Sequence, residues 1–114
     1  MKTALNDLLL KSLNLNFMTT KKKYNWAILG CGRIAKTFAS DLKLLSNANL
    51  YATASRSLKK AQDFGNEFGF EKAYGSYEEM VADPNVDIVY IATPHSYHME
   101  HSILCMNHKK AVLC

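Results

Sequence analysis

The chain has 114 residues, 48% of them hydrophobic and 21% charged, enough apolar material for one globular core and unlike a disordered or membrane-spanning composition. Its formal net charge of +4 would suit a nucleic-acid partner, but the placement of the charge argues against one. Residues 1–23 carry five lysines and one aspartate, while from Tyr24 onward nine basic residues face nine acidic ones, so there is a basic tail and no basic groove.

The three cysteines, Cys31, Cys105 and Cys114, show no C-x-x-C spacing. That points to a reducing compartment, the cytoplasm, and to no disulfide framework. No apolar run reaches the roughly 18 residues of a membrane span, so neither a membrane nor a nucleic acid is expected as a partner. Residues 1–23 read as a leader outside the folded domain. Leu5, Leu8, Leu9, Leu10, Leu13 and Leu15 imitate a secretory signal, but Asp7, Lys11 and the asparagines interrupt them and no small-residue cleavage site follows. The expectation is a poorly ordered or upstream-initiated segment, with Met18 an equally good start.

The folded part alternates strand and helix. Tyr24–Leu29 is a nearly unbroken apolar run, as in a parallel strand covered on both faces. It breaks into Gly30-Cys-Gly-Arg-Ile-Ala35, a Gly-x-Gly-x-x-Ala turn. Gly30 permits the tight turn, Gly32 keeps side-chain atoms away from a phosphate, and Ala35 lets the following helix pack closely. A pyrophosphate would rest on the free N–H groups of Gly32, Arg33 and Ile34, where the helix dipole favours negative charge.

Ile34, Phe38, Leu42 and Leu45 then recur at helical spacing, and residues 46–49 break that helix. Residues 50–54 form the second strand. Ser57 caps a helix carrying Leu58, Ala61, Phe64 and Phe68, and Gly69 stands where a left-handed stop is wanted. Lys72–Tyr74 is a short third strand. Ser76 and Glu79 form a capping box for a short helix that ends by Asp83-Pro84. Residues 86–92 are the fourth strand, stopped by Thr93-Pro94. A helix from Ser96 or Tyr97 to about Asn107 and a strand at Ala111–Leu113 follow. Strand–helix–strand units with short links predict right-handed crossovers and an α/β, Rossmann-type doubly wound parallel sheet in the order 3-2-1-4-5. The ligand crevice then lies between strands 1 and 4, bordered by the Gly30–Ala35 loop and the Thr93–His98 loop.

The nucleotide is read at the end of strand 2. An acidic residue there selects NAD through the ribose 2′-OH, and an arginine accommodates the 2′-phosphate of NADP. Here the strand ends Ala54-Ser-Arg-Ser57, with no carboxylate. Arg56 can contact phosphate bidentately, with Ser55 and Ser57 adding hydroxyl donors. Lys59 and Lys60 fall in the first turn of the next helix, where positive charge opposes the dipole and a bound phosphate would explain it. The cofactor expected is NADP, with NAD second. The missing acid also counts against a methyltransferase-type sheet.

Taken together, these residues resemble the N-terminal domain of the Gfo/Idh/MocA oxidoreductases, from about Tyr24 to Cys114, and most closely the dihydrodiol dehydrogenase-like branch. The matching blocks are residues 26–35, Ala54-Ser-Arg-Ser57, Lys72-Ala-Tyr-Gly-Ser-Tyr-Glu-Glu79, Asp83-Pro-Asn-Val-Asp87 and Tyr90-Ile-Ala-Thr-Pro-His95. The resemblance implies hydride transfer between a nicotinamide and a hydroxyl carbon of a sugar, polyol or cyclic diol. It places His95 beside the nicotinamide and His98 on the active-site side of the crevice. Two departures stand out. The family ends the helix before strand 5 with glycine, where this chain has Asn107-His-Lys-Lys110, so a different or looser helix end is expected. The family also continues into Glu-Lys-Pro, whose lysine is catalytic. The sequence stops at Cys114, so no catalytic residue is assigned, the substrate domain and any homo-oligomer formed through it fall outside, and the chain alone is expected to bind NADP(H) without turnover. The alternatives are a non-catalytic NADP(H)-sensing module or a non-functional fragment.

His98, His101 and Cys105 share one helix face, but nothing supplies a fourth zinc ligand nearby, and His101 and Cys105 are read as packing or solvent-facing residues. Cys31 stands near a helix N-terminus, which could lower its thiol pKa. The preferred reading is that only its backbone faces the cofactor.

Overall fold

The computed structural model describes residues 23–114, so nearly all of the expected leader lies outside the described residues. The elements run β1 (Tyr24–Leu29), α1 (Arg33–Leu42), β2 (Ala48–Ala54), α2 (Leu58–Phe68), β3 (Lys72–Tyr74), α3 (Tyr77–Val81), β4 (Ile88–Ile91), a 3-10 turn (His95–Tyr97), α4 (His98–Asn107) and β5 (Ala111–Leu113). They build one parallel five-stranded sheet in the order β3-β2-β1-β4-β5, as predicted.

A core lies on each face of the sheet. Trp26 and Ile28 of β1 meet Phe38, Leu42, Phe64 and Phe68 of α1 and α2. Ala27 and Leu29 turn the other way, to Met80 and Val81 of α3 and Cys105 of α4. This is the period-two alternation of a strand covered on both sides. Phe38 is completely buried; its ring stacks on Tyr90 at 3.7 Å and tilts against Trp26 at 5.6 Å. In β2 the register against β1 skips Tyr51 between Leu50 and Ala52. That bulge puts Tyr51 and Ala52 in the same core, which strict alternation forbids.

Local chemistry sets the helix ends. Ser57 Oγ accepts from Lys60 N–H and Ser76 Oγ from Glu79 N–H. Gly69 closes α2 in the left-handed region at φ 85°. The end of α4 differs from the expectation of a looser link. Lys110 N–H bonds to Cys105 O and Lys109 N–H to Met106 O, a complete Schellman closure. Lys109 occupies the position glycine normally takes, at φ 60°.

Four more expectations are corrected. β2 starts at Ala48 because Asn49 is held by side-chain bonds to Asn25 Oδ1 at 2.9 Å and Glu71 Oε2 at 2.6 Å. β4 spans Ile88–Ile91 only, because residues 84–87 turn to bring Asp87 onto Asn25. The helix after Pro94 begins as a 3-10 turn and becomes α-helical only at His98. Ile34 does not join the apolar face of α1 but is 60% exposed, Ala35 taking the inward position.

Below the sheet, Asp83 ties the β3 and β4 connections together. Its Oδ2 accepts from Tyr51 OH at 2.8 Å and Tyr74 OH at 2.6 Å, and its Oδ1 from Asn85 N–H at 2.9 Å. Lys110 Nζ donates to the carbonyls of Asp83 and Val86, both at 2.8 Å, fastening the loop before β4 to the entry of β5.

Candidate functional site

Three chain segments meet at the C-terminal ends of β1, β2 and β4. The first is the glycine turn. Gly30 has φ +104°, and a Cβ there would lie 3.0 Å from Thr93 Cγ2 and 3.2 Å from Thr93 N. Only glycine fits both the conformation and the space. Gly32, the N-cap of α1, has extended backbone and no side-chain cap, and a Cβ there would meet nothing within 4 Å. The first-turn N–H groups of α1, including those of Arg33 and Ile34, therefore face an open space with their dipole uncompensated. That suits a pyrophosphate.

The second segment follows β2. Ser57 N–H bonds to Ser55 Oγ at 3.3 Å, a tight turn that projects Arg56 outward. Arg56 is exposed and has no ion-pair partner among the described residues. A cavity of about 480 Å³ gathers Gly32, Cys31, Ser55, Arg56, Ser57 and Lys60. Both the loop arginine and the α1 N-terminus thus open onto one space. The two lysines of α2 separate: Lys59 Nζ pairs with Asp63 at 3.2 Å, an ordinary exposed i,i+4 contact, while Lys60 lines the cavity. The thiol of Cys31 is not activated. Burial pushes its pKa up, partly offset by a contact with Thr53 Oγ1 at 3.3 Å.

The third segment is the loop after β4. Thr93 is buried and held twice. His98 Nε2–H donates to its carbonyl at 2.8 Å, and its hydroxyl meets His101 Nδ1 at 2.7 Å. A second cavity of about 430 Å³ is bounded by Arg56, Tyr77, Thr93, Pro94, Tyr97 and His101. Arg56 and Tyr77 line both cavities, which therefore adjoin as two parts of one cleft, with Glu78 and Glu100 on the wall of the second.

Of the residues singled out in the sequence, Gly32, Ser55, Arg56, Lys60, Thr93 and Pro94 line this cleft, and Gly30 shapes its turn. Arg33, Ile34, His95 and His98 border it without lining either cavity. His95 is exposed, and its ring lies 5.1 Å from that of His98. Tyr77 and His101 were missed as lining residues, while Tyr97 lies in the residue 93–98 loop that the sequence places at the crevice. Ser76 as an N-cap signalled that Tyr77 opens a helix, but not that the helix points into the crevice. His98, His101 and Cys105 do not gather around a common point: the two imidazoles are committed to Thr93, and Cys105 is buried in the core with its thiol raised to about 11 by desolvation.

The comparison with known proteins assigns this arrangement. A family model described as "Oxidoreductase family, NAD-binding Rossmann fold" matches residues 24–114. The chain belongs to the Gfo/Idh/MocA oxidoreductase family. It corresponds to the family's NAD(P)-binding domain.

Among curated members, trans-1,2-dihydrobenzene-1,2-diol dehydrogenase of Mus musculus is 45% identical over 91 residues, covering 78% of this chain and 27% of that protein. D-xylose 1-dehydrogenase (NADP(+)) of Hypocrea jecorina is 42% identical over 101 residues, covering 78% of this chain and 26% of that one. Among solved structures, a probable dehydrogenase from Thermotoga maritima superposes with a TM-score of 0.73 at 34% identity, over 79% of this chain and 27% of that chain. Scyllo-inositol dehydrogenase from Lactobacillus casei, solved with NAD(H) and scyllo-inositol, superposes with a TM-score of 0.73 at 26% identity, over 80% of this chain and 27% of that chain. The chain therefore spans about a quarter of the length of the relatives it matches. The relatives named here differ in cofactor, so membership fixes a dinucleotide and leaves its 2′ substituent to the residues of the cleft. No helix among the described residues is long and apolar enough to cross a membrane.

Proposed function

We propose that this chain binds NADP(H), and that it does so as the cofactor domain of an oxidoreductase moving hydride between the nicotinamide and a hydroxyl carbon of a sugar, polyol or cyclic diol, in the cytoplasm. The observation that carries the reading is the end of β2: Arg56, with no ion-pair partner among the described residues, opens with Ser55, Ser57 and Lys60 onto the same cavity as the α1 N-terminus. A 2′-phosphate there would meet two cations and two hydroxyls, and no carboxylate lines the cavity to accept a ribose 2′-OH. The nicotinamide, when bound, supplies or accepts the hydride. The chain's own residues bind and orient: Gly32, Arg33 and Ile34 through backbone N–H groups at the pyrophosphate, Thr93 and Pro94 at the crevice wall, and His95 and His98 on its nicotinamide side. The substrate subsite and any contact between subunits are assigned to the part of the relatives' length that this chain does not span.

Arg56→Ala tests the cofactor assignment. Losing a charge-assisted phosphate contact costs about 1.5–3 kcal/mol, so NADPH affinity should fall about 10- to 100-fold, with NADH affinity nearly unchanged. Titration by nicotinamide fluorescence reads both. Equal losses for the two dinucleotides would overturn the 2′-phosphate assignment.

A further inference from the structure

The two faces of the sheet are not covered equally. On one face α3 packs on β2 and β3 and α4 on β4 and β5. On the other, α1 and α2 pack on β1, β2 and β3, and among the described residues no helix covers β4 and β5 there. That half-face presents Tyr90, half-buried against Phe38, the partly buried Leu113, and the exposed Ala111 two positions before it.

The flank of α1 that borders this half-face holds an orphaned charge. Lys36 pairs with Glu67 of α2 at 3.7 Å and Lys43 lies over the Phe68 ring at 6.0 Å, so these two residues mark the α2 side of the helix. Phe38, stacked on Tyr90, marks the opposite side, and Asp41 follows it one turn on. Asp41 is completely buried, yet neither of its carboxylate oxygens has a hydrogen-bond partner among the described residues. A buried carboxylate is normally paired or hydrogen-bonded, because desolvating an isolated one is costly.

An apolar half-face beside a buried anion fits a cover that is apolar and carries a cation. Residues 1–22 lie outside the described residues and lead directly into β1, and their sequence has that pattern. Leu5, Leu8, Leu9 and Leu13 recur at helical spacing. Lys11 falls on the flank of the stripe, three residues after Leu8 and four before Leu15. The reach is sufficient: β5 lies two strand spacings from β1, about 10 Å, and residues 16–23 can span up to about 26 Å.

We propose that residues 5–15 cover the β4–β5 half-face, with the four leucines packed on Tyr90 and Leu113 and Lys11 paired with Asp41. The segment then belongs to the fold, independently of what the cleft binds. The test uses the intact 114-residue chain. Its amide hydrogen exchange, followed by mass spectrometry, should be slowed at least about tenfold over residues 5–15 relative to a free peptide of that sequence; this measurement needs no variant to fold. In urea melts Lys11→Met should lower the folding equilibrium constant at least about tenfold, because it leaves Asp41 buried and unpaired. It should change little when Asp41→Asn is already present. A Lys11→Met effect that is the same with and without Asp41→Asn overturns the proposal, and so does free exchange over residues 5–15. Free exchange with concentration-dependent association in sedimentation would give the face to a second copy of the chain, and free exchange in a monomer to a partner of other sequence.

Discussion

The two glycines of the turn should fail in opposite ways. At Gly30 alanine must adopt φ +104° and place its Cβ 3.0 Å from Thr93 Cγ2, 3.2 Å from Thr93 N and 3.3 Å from the Ala92 carbonyl carbon. Two of those three contacts are backbone of the adjoining strand end and cannot swing away. Strain at such a φ costs about 1–3 kcal/mol and forced overpacking about as much again, so Gly30→Ala should lose about 2–6 kcal/mol of stability. For a domain of this size that is a fall in melting temperature of roughly 10–40 °C. At Gly32 the backbone is extended and nothing lies within 4 Å of a built Cβ. Alanine forfeits a few tenths of a kcal/mol as an N-cap and regains a similar amount by restricting the unfolded chain, so stability should hold within about 1 kcal/mol. The new methyl instead occupies the space where a phosphate approaches the first-turn N–H groups, and dinucleotide affinity should fall at least about tenfold, or 1.4 kcal/mol. Thermal melts and nicotinamide-fluorescence titrations of the two variants separate the effects. A Gly32→Ala protein that binds NADPH normally, or a Gly30→Ala protein that melts with wild type, would refute the assignment of one glycine to the ligand and the other to the fold.

Two further outcomes concern stability. Lys109→Gly should raise it by about 0.5–1 kcal/mol, since glycine relieves the left-handed penalty of a side chain at φ 60° and gives back part of that in unfolded-state entropy; an unchanged or lower urea midpoint would show that Lys109 is not strained. Burial opposes ionisation of Asp83, but the Tyr74 and Tyr51 hydroxyls and the Asn85 N–H outweigh it and hold its pKa below the ordinary 3.8. Its stabilisation is therefore complete above that unfolded value and is lost as pH falls through the lower folded value. Asp83→Asn should cost about 1–3 kcal/mol at pH 7 and remove that share of the acid dependence in urea melts taken from pH 2 to 7. An acid limb unchanged by the substitution would refute the pairing.

What the sequence made readable was chemistry carried by neighbouring residues. Ser57, Gly69 and Ser76 mark helix ends because a cap is a bond between residues three or four apart, and the apolar run at residues 24–29 declares a buried strand without reference to its partners. What escaped was decided at long range. Asn49 has poor strand propensity, yet β2 includes it because Asn25 and Glu71 satisfy its amide from two other segments. Ile34 fits the helical stripe by spacing, but the stripe is centred one residue further on, where Ala35 and Ala39 let α1 approach the sheet. Lys109 keeps the Schellman geometry without glycine because both of its closing bonds form. In the site, the glycines and Arg56 lie in contiguous motifs. Tyr77 and His101 come from two different elements and become lining residues only when α3 and α4 pack on the same face of the sheet.

The cleft divides affinity from discrimination according to solvation. Arg56 and Lys60 are exposed, so each costs little to keep charged without a ligand, and water screens what each contributes to binding. Such groups sort one dinucleotide from another by what they add to the affinity of the phosphorylated one alone. The groups at the crevice wall are of the other kind. Thr93 and His101 are buried, and losing their hydrogen bond leaves two largely desolvated polar atoms without that partner. A change there should act on both dinucleotides alike, where a change at Arg56 should act on one. The ratio of NADPH to NADH affinity in a variant, set beside the affinity itself, therefore identifies which wall of the cleft has been disturbed.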